Sequence, residues 1–207
     1  MTLAASSDYR LLDSFGRQLF RESITRDESA ELLLSGTYYL LVEGDLTNAS
    51  VDEYQIVITH DGNTPVAGIS GDALTLGTTQ NGNLSTADQI DSYAFTLTDR
   101  SQLYFDSLTN NSSIAWSLRG PRGFEVSNLR FDRSDSLDNA DPVLDLIAGE
   151  YQLDVVASSG TPGAYAFNLS DIASATEITP GTAFSGEIAV TTETDLYKFD
   201  ALSLIHI

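Results

Sequence analysis

Alternating apolar residues, regularly placed turn residues and a long internal repeat predict an all-β chain of antiparallel β-sandwich (jelly-roll-like) units. Tyr93, Phe95 and Leu97 alternate with Ala94, Thr96 and Thr98, and Ile114, Trp116 and Leu118 alternate with Ala115, Ser117 and Arg119. Successive strand residues face opposite ways, so each run has one face to bury and one for solvent. Turn chemistry separates the runs at Gly120-Pro121-Arg122-Gly123, at Ala148-Gly149 and across 158–163. Glycine and proline set the dihedrals that tight turns need. Finally, Asp91-Ser92-Tyr93-Ala94-Phe95 returns 104 residues later as Asp195-Leu196-Tyr197-Lys198-Phe199. That spacing is too long for a solenoid and suits a whole sandwich of about 100 residues.

Taken in order, the alternation predicts strands over 8–13 and 18–24, joined as a hairpin around Gly16, and then over 36–42 and 52–58. Further strands are expected at 91–97, 102–108, 114–118, 124–129, 142–147, 151–155 and 165–169. No segment carries the 3.6-residue apolar stripe of a helix. A closing motif, Gly36-Thr37-Tyr38 with Tyr54-Gln55-Ile56, recurs as Gly149-Glu150-Tyr151 with Tyr165-Ala166-Phe167. An opening motif, Gly77-Thr78 with Gly82 and Asp91-Ser92-Tyr93, recurs as Gly181-Thr182 with Gly186 and Asp195-Leu196-Tyr197.

These motifs assign residues 1–62 to the back part of a first repeat, 63–76 to a linker, 77–180 to a complete repeat and 181–201 to the opening strands of a third. Met1 then falls inside a unit and is not expected to be a natural amino terminus. Residues 202–207, Leu-Ser-Leu-Ile-His-Ile, are read as an adapter-derived tail, being the translation of CTG TCT CTT ATA CAC ATC.

Thirty acidic residues against ten basic ones give a net charge of -20, which disfavours nucleic acid as a partner. With 42% hydrophobic residues there is ample material for a core. The chain has no cysteine, which excludes a disulfide framework and thiolate metal sites in this stretch. No apolar run approaches the length of a membrane-spanning helix, so membrane insertion is not expected. An acidic surface suits an extracellular, calcium-rich setting in which counterions screen self-repulsion.

Catalysis finds little footing. His60 is the single histidine outside the 202–207 tail, and the complete repeat has none, so a serine-histidine-carboxylate site is not expected. Calcium is the better chemical expectation, because hard cations gather carboxylate and carbonyl oxygens from loops. Asp132, Asp135, Asp138 and Asp141 crowd one inter-strand segment, and Asp88 with Asp91 precedes the D-x-Y-x-F strand, echoed by Glu193 with Asp195. The competing reading is a solvated acidic loop in the first case and a turn-capping aspartate in the second.

Eight of the nine arginines lie on or beside one hairpin of each repeat, Arg10, Arg17, Arg21 and Arg26 in the first and Arg119, Arg122, Arg130 and Arg133 in the second. Cross-strand pairing with nearby acids is favoured over an acidic polymer as their partner. Tyr93, Phe95, Trp116, Tyr151, Tyr165 and Phe167 fall at inward positions and are expected in the core, whereas Tyr39 and Tyr104 have the opposite parity and are expected to be exposed.

The opening D-x-Y-x-F motif and the closing G-x-Y-x-L and Y-x-F-x-L motifs together resemble the bacterial pre-peptidase C-terminal domain. The likeness is to its divergent tandem copies in large secreted or cell-surface proteins. It implies a β-sandwich that accompanies secreted peptidases or recurs in adhesin-like proteins, some relatives binding calcium, collagen or polysaccharide. The expected role is therefore a non-catalytic spacer or adhesion module, with neighbouring repeats and extracellular polysaccharide or matrix protein as partners. The alternative is an accessory domain of a secreted peptidase or other hydrolase.

Overall fold

The computed structural model describes residues 7–32, 35–44, 54–62, 68–135, 139, 141–190 and 192–201. The chain forms two compact units, Met1–Ala67 and Gly68–Ile207.

The first unit holds a three-stranded antiparallel sheet of β1 (Asp8–Leu12), β2 (Gln18–Ser23) and β3 (Tyr39–Glu43), in the order β2-β1-β3. Its hairpin turns at Gly16, whose φ of 82° lies in the left-handed region that glycine enters without steric penalty. Asp13 fixes the turn, its carboxylate accepting the backbone N–H of Phe15 and of Arg17, each at 2.9 Å, and the Arg17 Nε at 2.9 Å. Tyr9 packs edge-on against Phe20 across the hairpin, with centroids 5.6 Å apart.

The second unit is a β-sandwich. One sheet contains β5 (Gln80–Leu84), β7 (Ser101–Ser107), β10 (Val143–Leu146) and β12 (Gly163–Asp171) in the order β10-β7-β12-β5. The other contains β4 (Asp72–Ala73), β6 (Ile90–Leu97), β8 (Ile114–Gly120), β9 (Gly123–Arg130) and β11 (Gly149–Ala157) in the order β4-β6-β11-β8-β9. Apart from the short β4–β6 pair, neighbours in both sheets run antiparallel.

The alternating apolar residues meet between the sheets, as period two requires. Tyr93, Phe95, Trp116, Tyr151, Leu153, Tyr165 and Phe167 are all buried in one core. The Phe105 ring lies flat on the Trp116 indole at 3.9 Å and on Phe167 at 5.1 Å, so the aromatics bind the two sheets together. Phe131, on a 3-10 turn (Phe131–Arg133) directly after β9, closes the core edge-on to Phe105.

The first sheet has the same order and register as part of the second. Asp8 pairs with Glu43 and Tyr9 with Val42, as Ala115 pairs with Val156 and Trp116 with Val155. Likewise Asp8 pairs with Ser23 and Tyr9 with Glu22, as Ala115 pairs with Arg130 and Trp116 with Leu129. Gly16 and Gly123, at equivalent turns, have φ of 82° and 83°.

Several expectations require correction. Residues 68–76, read as the later part of the linker, fold onto the second unit: Ser70 N–H donates to Gln152, Leu74 N–H donates to the Ala94 carbonyl, and Leu74 is buried. This approach depends on Gly71, because a Cβ there would lie 2.6 Å from the Ser92 carbonyl. The 52–58 strand is not observed over 54–58, where Val57 and Ile58 are exposed. Its counterpart in the second unit, β12, is held by β5 and β7. Among the described residues of 181–201, only β14 (Tyr197–Lys198) is a strand, parallel to β13 (Thr176–Glu177). Residues 202–207 lie outside the described residues.

Candidate functional site

The acidic residues singled out in the sequence separate into different environments. Asp132 is clasped by Arg130 through two bonds of 2.8 and 2.6 Å, and this guanidinium holds its carboxyl below the usual range. Asp141 is exposed, its N–H donating to Asn139 at 3.3 Å, and Asp138 lies outside the described residues. Asp135 instead reaches β7, where its Oδ2 accepts the Ser107 N–H at 2.5 Å, and burial raises its pKa. Asp88 is exposed. Among the described residues, no three His, Cys, Asp or Glu side chains gather in a way that could hold a metal ion.

Asp91 has a structural role that its recurrence in the sequence did not reveal. Its Oδ2 accepts the Tyr165 hydroxyl at 2.6 Å, and that hydroxyl also meets the Tyr93 hydroxyl at 2.8 Å. Gln89 donates to Asp91 Oδ1 at 2.7 Å. Thus Asp91 and Tyr93 of the opening motif are bonded across the sandwich to Tyr165 of the closing motif. Burial first, and then the bonds to Asp91 and Tyr93, push the Tyr165 hydroxyl pKa far up, so it stays a donor. The ring can reach Asp91 only because its cross-strand partner is Gly82. The recurrent Gly186 likewise has no Cβ to obstruct Tyr197, whose hydroxyl donates to Asp195 at 3.1 Å.

A different acid is the least expected group in the molecule. Asp106, on β7, is only 6% exposed and its Oδ1 has no hydrogen-bond partner. Its neighbours Phe105 and Ser107 are also buried, but Phe105 points into the core, so Asp106 faces out from the β7–β12 sheet. Residues of the 190s lie over this face, with the Tyr104 hydroxyl 3.1 Å from Thr194 Oγ1. Burial pushes the Asp106 pKa up to about 6; bonds from the Thr194 amide and hydroxyl work against it, and the Asp135 charge adds to it. Tyr104, expected to be exposed, is therefore 6% exposed, because 190s residues occupy what would have been an outer face. Tyr39 is exposed as expected, at 54%. Alternation could have flagged Asp106 as outward-facing, but not what covers it.

Arg10, Arg17, Arg21, Arg26, Arg100, Arg122 and Arg130 form ion pairs with acids, whereas Arg119 donates to the Gly68 carbonyl and to Gln152. Arg10 meets Glu43 at 2.6 Å, Arg21 meets Asp8 at 2.6 Å, and Arg100 meets Asp145 in an exposed pair. Arg122 forks onto the largely buried Glu125 through two bonds of 3.0 Å and donates to the Asp145 carbonyl. His60 is exposed at the end of the described 54–62 segment.

No family model and no curated protein matches the chain. Among solved structures, it is similar to the pre-peptidase C-terminal domain of a collagenase from Bacillus anthracis, at 18% identity and a TM-score of 0.39, over 52% of this chain and 99% of that one. It is also similar to PliG, a periplasmic inhibitor of g-type lysozyme from Salmonella Typhimurium, at 16% identity and a TM-score of 0.37, over 47% and 94%. No helix among the described residues is long and apolar enough to cross a membrane.

Proposed function

We propose that the chain is a run of non-catalytic β-sandwich repeats from a large extracellular bacterial protein, serving as a spacer or adhesion module. The repetition of geometry as well as motif supports this most directly. The β2-β1-β3 sheet shares its register with β9-β8-β11, and two turns also recur at an offset of 104 residues. Thr78 N–H donates to the Thr75 carbonyl as Thr182 N–H does to Thr179, and Gln89 caps the Ser85 N–H as Glu193 caps that of Ala189. Recurrence of local bonds at one spacing is what a chain of like units, each built by the same residues, would give.

The ion-paired arginines and the aromatic rings taken up by the core support a scaffold over a reaction centre. Neighbouring repeats are then the first partners, with extracellular polysaccharide or matrix protein as the ligand of an adhesive version. Screening the purified chain on glycan and matrix-protein arrays tests the adhesive role: selective binding supports it, and uniformly blank arrays leave the spacer. Sequencing the parent gene is the complementary test. A hydrolase domain beside one or two copies would replace this reading with that of an accessory domain.

A further inference from the structure

We propose that Asp106, Asn168 and Asp135, with Thr192 and Thr194 from the segment lying over them, bind one calcium ion on the outer face of the β7–β12 sheet. Asp106 and Asn168 are directly opposite in the β7–β12 register. Opposed residues on one face have Cβ atoms about 4.5–5.5 Å apart, within reach of one shared ion. Asn168 lies between the buried core residues Phe167 and Leu169, so its side chain shares the outward face with Asp106.

Both side chains present a buried oxygen with nothing to bind. Asp106 Oδ1 and Asn168 Oδ1 are shut off from solvent without a hydrogen-bond partner, and so is Thr192 Oγ1, two residues before Thr194. Buried acceptors are ordinarily paired, and each one left unpaired is destabilising. Two oxygen acceptors on one face need a proton or a cation between them, and a cation satisfies both at once.

The donor set selects the ion. All the oxygens are hard, from two carboxylates, an amide and hydroxyls, with no imidazole or sulfur, which suits calcium over the softer transition metals. Calcium accepts irregular mixtures of such ligands, whereas magnesium keeps much of its water and demands an octahedron. Asp135 brings the second charge, anchored by the Ser107 N–H immediately after Asp106. The counterpart of Asn168 in the first unit's closing motif is Val57, so the site is peculiar to the second unit and is not a property of the repeat. Thr192 and Thr194 precede the recurrent Asp195-Leu196-Tyr197, so the ion would tie the opening segment of a third repeat to the sheet of the second. This goes beyond the spacer reading and does not depend on it.

The test uses the full chain, stripped with chelator and titrated with calcium alone by calorimetry and thermal melting. Wild type should bind one ion and melt at a higher temperature. Asp106→Asn should weaken binding by about a hundredfold or more, since it removes a charged ligand. Asn168→Asp separates the proposal from mere packing. A third carboxylate should lower the melting temperature in chelator yet tighten calcium binding by about tenfold, because ligand charge sets affinity. The proposal is overturned if wild type shows neither heat nor a melting shift at millimolar calcium, or if Asp106→Asn binds as wild type does. It is equally overturned if Asn168→Asp loses the same stability with and without calcium.

Discussion

Replacing Gly82 by alanine should unlock the opening motif from the closing one. The added Cβ would lie inside van der Waals contact of the Tyr165 hydroxyl and Cζ and 2.6 Å from Cε1, so the ring has to swing away. That movement breaks the 2.6 Å bond to Asp91 and the 2.8 Å bond to Tyr93. The charged bond contributes about 1.5–3 kcal/mol and the neutral one about 0.5–1.5. Displacing a core ring adds about 1–3 kcal/mol. The smaller entropy of an unfolded alanine returns about 0.4–1 kcal/mol. The net expectation is a loss of about 2–7 kcal/mol.

Trp116 is the single tryptophan, is fully buried, and lies in the second unit, so its fluorescence in a urea titration reports that unit alone. Tyr165→Phe should cost about 2–4.5 kcal/mol, because only the hydroxyl bonds go. In that background Gly82→Ala should cost only the ring displacement, leaving a coupling between the two sites as large as the Tyr165→Phe cost, about 2–4.5 kcal/mol. A Gly82→Ala protein as stable as wild type, or costs that simply add, would refute the account.

Ser134 accepts the buried Trp116 indole N–H at 2.7 Å and itself donates to the Arg130 carbonyl, so Ser134→Ala should lose about 1–3 kcal/mol in the same titration. Arg122→Ala removes both guanidinium bonds to the largely buried Glu125 and should cost about 1–3 kcal/mol, whereas Arg100→Ala at the exposed Asp145 pair should cost markedly less. Equal losses from the two arginines would contradict the burial argument. For Asp13, burial raises the carboxyl pKa, but the Arg17 side-chain bond and the backbone bonds from Arg17 and Phe15 outweigh it and leave the value below 3.8. A lowered folded pKa makes its stabilisation present above pH 3.8 and lost as pH falls through the folded value. Amide protection factors in the β1–β2 hairpin, taken relative to the intrinsic exchange rate at each pH, should therefore fall on acidification in wild type and vary less with pH in Asp13→Asn. An unchanged pH dependence would count against this assignment.

The strands were legible because a half-buried strand writes its burial into every second residue. Tyr93, Trp116, Tyr151, Tyr165 and Phe167 were placed inward by parity alone, and all are in the core. The hairpin at Gly16 was legible because the turn needs a residue tolerant of positive φ. The short β4 was missed, since two residues carry no periodicity and Gly71 reads as a breaker. Its value here is the absence of a side chain against Ser92.

Tyr104 and Asp91 show where one-dimensional reasoning stops. Parity put the Tyr104 ring on the outer face, which is correct, but burial of that face depends on a segment about ninety residues further along. Recurrence marked Asp91 as a possible ligand, and its position in space makes it the acceptor for Tyr165 across the sandwich. Asp106 and Asn168 carried no signal, because 62 residues separate two side chains that only strand pairing brings opposite one another.

The sequence by itself determined the fold class and the inward-facing residues, because alternation and turn dihedrals are local properties. Tertiary structure decided which acids are paired, which are left with an unsatisfied oxygen, and which outer face is covered. Those outcomes depend on burial and on partners distant in the chain. The energy of a carboxylate is set by the dielectric and the donors around it, neither of which is written in its own neighbourhood of the sequence.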